Sequence, residues 1–441
     1  MLKDRFFQLA DFLTAQLTGR EVLLANYSAE DSAFVRFNRS AVRQPGSVNQ
    51  QSITIDLIDG RRHAGATLTL SGDTAADQHR LSALLGKLRE QLPYLPDDPH
   101  LLYNETPTSS DRVGENRLPA ANDALDAVLT AGKGRDLVGI WASGGVYRGF
   151  ANSLGQRNWF ENYSFNLDWS FYHQADKAVK TDFAGTQWDD AAFDRKVNMA
   201  AQQLAALKQP ARSVKPGRYR VFLSPNAVKD VVGMLGWGGV GLKSQRTRRS
   251  TLIKLFDGEV ALNDGVTVKE HTAAGVGPDF QSEGYLRPPS VTLIDHGRAA
   301  HSLVSPRSAR EYNVPTNGAS TSESPEALEM STGSLPADDA LAALGNGVQV
   351  NNVWYLNFSD RAGCRVTGMT RFATFLVENG EIVAPLNVMR WDETIYRVLG
   401  SQLEALTDTA EMKLFNSTYG GRSTGSSCVP GALVNEFEFT L

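Results

Sequence analysis

The sequence predicts an α+β protein in two domains: an N-terminal α/β domain over residues 1–212 and a strand-dominated, mostly antiparallel C-terminal domain over 213–441. Three observations lead there. Helix-period and β-prone stretches alternate through the first half. The second half is dominated by β-prone runs separated by hairpin turn signals. Between them, "PARSVKPG" reads as a linker, because its two prolines interrupt both kinds of regular structure.

The elements follow in order. In "MLKDRFFQLADFLTAQLTG", Leu2, Phe6, Leu9, Leu13 and Leu17 recur every three or four residues, which predicts an amphipathic helix. "AFVRFNRSAV" and "SITIDLIDGRRHAGATLTL" read as strands, with Asp59-Gly60 marking a two-residue hairpin. "DQHRLSALLGKLREQL" is a helix stopped by Pro93, and residues 93–120, rich in proline and polar groups, read as an exposed connection. "ANDALDAVLTAG" is a short helix with Asn122 or Asp123 near its start and Gly132 after its end. Two aromatic, β-prone stretches follow, and then the helix "AAFDRKVNMAAQQLAALK", which halts at Pro210. Beyond the linker, "YRVFL" is a strand leading into a helix, with Ser224 at the N-cap and Pro225 in the first helical position. "SVTLIDHGRAAHSLV" reads as a hairpin, and so does "FATFLVENGEIVAPL", with Asn379-Gly380 at its turn. "ADDALAALG" is a helix bracketed by Asp338 or Asp339 and Gly345. Residues 315–336, dense in small and polar side chains, read as a surface loop or a substrate-covering segment.

Composition narrows the function classes. A net charge of −5 over 441 residues gives no basic surface for nucleic acid. No apolar run approaches the roughly 20 residues of a bilayer span, so neither nucleic acid nor membrane is expected as a partner. The first residues lack the apolar core of a signal peptide. The two cysteines, Cys364 and Cys428, are too few for a disulfide framework and fit a reducing cytoplasm.

Catalytic chemistry finds little purchase. None of the seven histidines has a partner at i, i+4 with an adjacent glutamate, the spacing of a zincin helix. His296 and His301 flank "GRAA" in a hairpin and share no helical face, and Glu270-His271 reads as an isolated exposed pair. No GxSxG nucleophile elbow occurs. Cys364 sits between Arg361 and Arg365, whose charges favour a thiolate, whereas a small buried residue is the commoner role of free cysteine. The basic run "KSQRTRR" at 243–249 reads as a solvated loop. "GWGGVG" follows its helix instead of preceding it, the wrong polarity for a dinucleotide fingerprint.

From Tyr219 onward the order of motifs resembles the TldD/PmbA (TldD/TldE) family of bacterial and archaeal peptidases. The resemblance rests on "RYRVFLSPNAV", "LIDHGRAAHSLVSPRSAREYN", "TNGASTSESPEALEMSTGSL", "GCRVTGMTRFATFLVENGEIVAPL" and "CVPGALVNEFEFTL". It implies one of two subunit types. TldD-type subunits are zinc peptidases with an HExxxH helix and a distant cysteine ligand. TldE/PmbA-type subunits keep the fold without the metal box, and the two types pair around a chamber for unfolded peptides. In the family frame the first histidine and the glutamate fall near Gly233 and Met234 and the second histidine near Gly238; the cysteine falls around "YGGRSTGSS", with Cys428 out of register.

The resemblance therefore implies a non-catalytic subunit without a metal or other cofactor, zinc being expected only in a TldD-type partner. That partner, an HExxxH subunit, would form a heterodimer with this chain; a homodimer is the alternative. The substrate would be unfolded or extended peptide, bound by edge-strand addition. Tyr355, Asn357, Arg361, Thr370 and Arg371 are the candidates for its groove, since polar and charged groups interrupt β-rich runs there. Two rivals stay open: an active peptidase or amide hydrolase with an unconventional site, such as Cys364, and a homodimeric peptide-binding module.

Overall fold

A computed structural model describes residues 1–174 and 177–441. The first sheet is built from long strands. Helix α1 (Leu2–Thr14) leads into β1 (Val22–Asn38), β2 (Ala41–Asp59) and β3 (Arg62–Thr69), and α2 (Thr74–Gln91) follows. Then come β4 (Ser110–Val113), α3 (Ala121–Gly132), β5 (Asp136–Asn152), β6 (Arg157–Gln174), β7 (Lys177–Gly185) and α4 (Asp190–Ala206). Strands run in the order β3-β2-β1-β5-β6, with β4 and β7 both on β6, and every pairing is antiparallel except β4 with β6.

Alternation decides the faces of this sheet. Leu23, Ala25, Tyr27 and Ala29 of β1 and Ile53, Ile55 and Leu57 of β2 pack against Phe6, Leu9 and Leu13 of α1 and Leu81, Leu85 and Leu88 of α2. Intervening residues of the same strands, Ser28, Glu30 and Ser52, leave the middle of the opposite face polar, while Leu24 and Ile58 at its end join Phe150, Phe160 and Phe280 in a separate apolar cluster. The cap at α2 comes from Asp73, whose side chain accepts from Ala76 N–H at 2.8 Å.

The second sheet starts at β8 (Gly217–Leu223), which is followed by α5 (Pro225–Gly233), α6 (Leu242–Arg246) and α7 (Ile253–Phe256). Next are β9 (Val268–Glu270), β10 (Val291–Asp295), β11 (Arg298–Ala299), α8 (Pro306–Tyr312), β12 (Ala327–Met330) and α9 (Ala340–Leu344). The chain ends with β13 (Gly347–Asp360), β14 (Arg365–Glu378), β15 (Glu381–Pro385), β16 (Arg390–Thr394), β17 (Leu403–Leu414) and β18 (Ser426–Phe439). The path β8-β13-β14-β16-β18 returns to β8, so these strands close a ring. Pairings throughout the second sheet are mostly antiparallel; β8 with β13, inside the ring, and β12 with β18, outside it, are the parallel ones. Helix α5 buries Val228, Val231 and Val232 against this sheet, with the Ser224 side chain as its cap. The two sheets share a core, because Ala373 and Phe375 of β14 pack with Trp169, Phe171 and Val179 and with Phe193 and Leu204 of α4. The molecule is therefore mixed α+β, with mostly antiparallel sheets.

Four local expectations are revised. The first hairpin turns at Gly60-Arg61, one residue later than the Asp59-Gly60 signal, with Asp59 and Arg62 as the closing pair. Gly60 takes φ +65°, a left-handed conformation that glycine adopts at no steric cost. The 93–120 connection carries β4, and Asn104 within it is buried. The 315–336 segment is not only surface loop, since β12 runs through it between β9 and β18. Glu270 is buried, not exposed, because its carboxylate accepts the backbone N–H groups of Glu326 and Ala327. The hairpin at Asn379-Gly380 forms as the sequence predicts, both residues having positive φ.

Candidate functional site

Two regions gather the chemistry, and the sequence pointed to only one. The first is the end of α5. Gly233 closes the helix and is exposed, Met234 is 3% exposed inside the core, and Gly238 holds φ +82°. Arg361, from the β13–β14 turn, donates from Nη2 to the Trp237 carbonyl at 3.0 Å. A β-carbon at Gly238 would lie 3.6 Å from that same Nη2 and 3.2 Å from Ser244 Oγ.

The candidate groove residues divide. Tyr355 and Asn357 are exposed on β13, and Arg361 stacks over Phe358 as it reaches α5. Arg371 lies 4.3 Å over the Trp354 ring, which in turn meets Tyr355 at 5.9 Å. Thr370 points the other way: it is 1% exposed, and its hydroxyl accepts Met389 N–H at 2.9 Å. Trp237 and Trp354, both about half exposed, were not singled out by the sequence, because a lone tryptophan in a β-prone run reads as core.

The family's zinc does not fit these residues. The positions that the resemblance assigns to the motif, 233, 234 and 238, supply no imidazole or carboxylate, and the Arg361 guanidinium would lie 3.6 Å from a β-carbon at Gly238. Among the described residues no group of three or more His, Cys, Asp or Glu side chains is placed to hold a metal ion. His296 gives Nδ1 to the Asp264 carbonyl at 3.0 Å, and His301 is exposed apart from it. His271 pairs with Glu329 at 2.6 Å. Cys428 sits opposite Glu329 on β18, and burial raises its thiol pKa. Cys364 is fully buried, and burial pushes its pKa up to about 12, against the opposing pull of Thr251 and Arg361. In the basic run, Arg248 is held by both oxygens of Asp257 at 2.7 Å.

The second region is a channel across the polar face of the first sheet. Residues 415–423 lie over β1, β2 and β5 as a strap, leaving cavities of about 520 and 410 Å³ that share Glu30, Gln50, Gly420 and Gly421. Those volumes fall in the range of ligand clefts. The strap is fastened by polar contacts. Gln50 Nε2 donates to the Gly420 carbonyl at 2.9 Å, and the Arg422 guanidinium donates to the carbonyls of Gly144 and Ser164 at 3.0 and 2.8 Å. Burial pulls the Arg422 pKa down to about 10, so it stays charged at neutral pH. Gly144 sits against the neighbouring strand β1, where a β-carbon would collide with the Asp31 carbonyl. Thr67 and Thr69 of β3, which pairs only with β2 among the described residues, line one rim. The period-2 polarity of β1 and the lone arginine in "YGGRSTGSS" were the legible signals for this channel.

A ring-closed second sheet carrying α5, set against a long-stranded first sheet, defines the class of protein. Residues 216–441 match the family model "PmbA/TldA metallopeptidase C-terminal domain", and the chain belongs to this PmbA/TldD metallopeptidase family. Its fold is similar to that of TldE from Thermococcus kodakarensis, with 12% identity, a TM-score of 0.77 and full coverage of both chains. A protein from Thermotoga maritima described as a candidate modulator of a DNA gyrase aligns at 13% identity and TM-score 0.74, over 99% of each chain. One from Bacteroides thetaiotaomicron with the same description aligns at 15% and 0.73, over 99% of this chain and 98% of the other. At these identities the likeness is one of fold. No curated protein matches the chain in sequence. No helix among the described residues is long and apolar enough to cross a membrane.

Proposed function

We propose that this chain is a non-catalytic, TldE/PmbA-like subunit that encloses extended peptide for a TldD-type zinc peptidase, in a reducing cytoplasm. Residues 1–212 and 213–441 would act as its two units. The channel carries this reading: it is long, polar and strapped, and it is bordered by β3, whose outer edge is unpaired among the described residues. Backbone groups on such an edge bind extended chains with little regard to sequence. The absence of imidazole or carboxylate at 233, 234 and 238 supports the non-catalytic part, and the Arg361 contact at the helix end reinforces it. Metal chemistry would come from the partner's HExxxH helix; this chain would hold and orient the peptide.

The test is a peptidase assay on an unfolded polypeptide with the purified chain, alone and mixed with an HExxxH family member, alongside elemental analysis and size-exclusion chromatography. The expected result is a stable heterodimer, no zinc in this chain and turnover only in the mixture. Turnover by the isolated chain that a chelator stops would overturn the proposal. A stable homodimer that binds peptide and ignores the relative would favour the binding-module alternative.

A further inference from the structure

A smaller cavity of about 60 Å³ lies where the two sheets meet, between α4 and the start of α5. One buried water needs roughly 10–15 Å³ on this scale, so the space suits a group of four or five heavy atoms. Both halves of the chain build its wall: Lys180 from β7, Lys196 and Gln203 from α4, Asn226 from α5, Asn351 from β13 and Glu411 from β17.

Asn351 is the informative residue. It is 7% exposed; its Oδ1 accepts from Gln349 at 3.1 Å, and its Nδ2 has no partner among the described residues. Strand alternation sends Asn351 with Gln349 to the face of Phe375, which packs toward α4, and away from Val348 and Val350 under α5. A buried N–H without an acceptor is rare and unfavourable, and such a group ordinarily meets a water or a ligand.

The start of α5 and Lys180 add further donors. The first-turn N–H of Asn226 has no carbonyl one turn back, and the positive end of the α5 dipole opens here. Lys180 stands 3.4 Å from Asp168. The carboxylate in the wall, Glu411, is already taken up by two ammonium groups, Lys196 at 2.6 Å and Lys413 at 2.5 Å. What the cavity offers is therefore unmatched N–H groups, at Asn351 and at the start of α5, beside ammonium groups that each already face a carboxylate.

We infer that this cavity binds a small oxyanion, either inorganic phosphate or the terminal carboxylate of a peptide, through Asn351 Nδ2, Lys180 and the N-terminus of α5. The inference goes beyond the peptide-enclosing reading and does not depend on it, because phosphate needs no peptide.

Isothermal titration of the full-length chain with inorganic phosphate at constant ionic strength tests it, joined by a peptide offered with a free and with an amidated C-terminus. Saturable one-to-one binding of phosphate or of the free-carboxyl peptide is expected. It should weaken at least tenfold in both Asn351→Leu and Lys180→Gln, each checked for native circular dichroism. Displacement of phosphate by the free-carboxyl peptide and not by the amide would identify the terminal carboxylate as the ligand; phosphate binding without displacement would identify the free ion. Saturation by neither ligand, or unchanged affinity in the two folded variants, would overturn the assignment.

Discussion

The backbone N–H of Arg422 donates to Glu30 Oε2 at 2.9 Å, joining residues 392 apart in the chain. That bond ties the strap over the first sheet to the sheet's own second layer of polar groups, since Glu30 also accepts from Gln50 at 2.7 Å. The strap is thus pinned at its C-terminal end, while Phe415 and Tyr419 remain open to solvent.

Arg422→Ala should release that end. Removing a buried, charged donor leaves the Gly144 and Ser164 carbonyls without their partner, and a lost charged hydrogen bond typically weakens a fold by about 1.5–3 kcal/mol. Chemical denaturation should show a loss of that order, and limited proteolysis should open a new cut within 415–423. Arg422→Lys should recover only part of the loss, because one ammonium cannot reach both carbonyls in the fork geometry of the guanidinium. Unchanged proteolysis in the alanine variant would show that the strap is held by something else.

Two glycines at the end of α5 should respond in opposite directions. Gly233 has φ −57°, and a β-carbon added there would meet nothing within 4 Å, so Gly233→Ala should stabilise by up to about 1 kcal/mol. Gly238 at φ +82° is strained for any other residue, and Gly238→Ala should destabilise by about 1–2 kcal/mol. The triple change Gly233→His, Met234→Glu, Gly238→His should therefore not create a zinc site: it buries a carboxylate at a core position and forces a side chain toward Arg361. Stoichiometric zinc in that variant would mean that the helix end can be reshaped into a metal site after all.

What the sequence made legible was local chemistry with a short period. Helix α1 was readable from Phe6, Leu9 and Leu13, and the Ser224-Pro225 start of α5 and the Asn379-Gly380 turn each follow from two adjacent residues. Strand β12 was not readable, because "ALEM" is short and sits among turn-forming residues; it exists by virtue of its distant partners on β9 and β18. The same holds at the sites. Arg361 was singled out for its charge, but its contact with the Trp237 carbonyl is a product of the fold. The Glu30–Arg422 bond and the cavity around Asn351 depend on pairings between distant strands, which no spacing within a segment encodes.

Cys364 tests the hydrolase alternative directly. Its thiol is fully buried and its pKa is pushed up to about 12, so at neutral pH it is protonated and out of reach. Native protein treated with a thiol reagent should modify Cys428 slowly and Cys364 only on unfolding, counted by mass spectrometry. Cys364→Ser should leave any peptide binding intact. Rapid native modification of Cys364 would reopen its candidacy as a nucleophile.

The ion network between the sheets should set the acid limit of stability. Lys413, with 2% of its side chain exposed, bridges Asp182 at 2.6 Å and Glu411 at 2.5 Å. Burial alone would raise the Glu411 pKa, but Lys413 and Lys196 outweigh it and bring it down to about 2 from an ordinary 4.5. A carboxylate whose pKa is lower in the folded state favours folding above its unfolded value, and that contribution fades as pH falls through the folded one. Denaturation midpoints should therefore fall between pH 4.5 and 2, and Glu411→Gln should flatten that part of the curve. Lys413→Met breaks the bridge from the other side, leaving Asp182 facing a thioether in a buried setting, and should be strongly destabilising at neutral pH, by about 3–5 kcal/mol. Its deficit should shrink in acid, where the orphaned carboxylates take up protons. A Lys413→Met deficit that is independent of pH would mean that packing, not charge, gives this lysine its role.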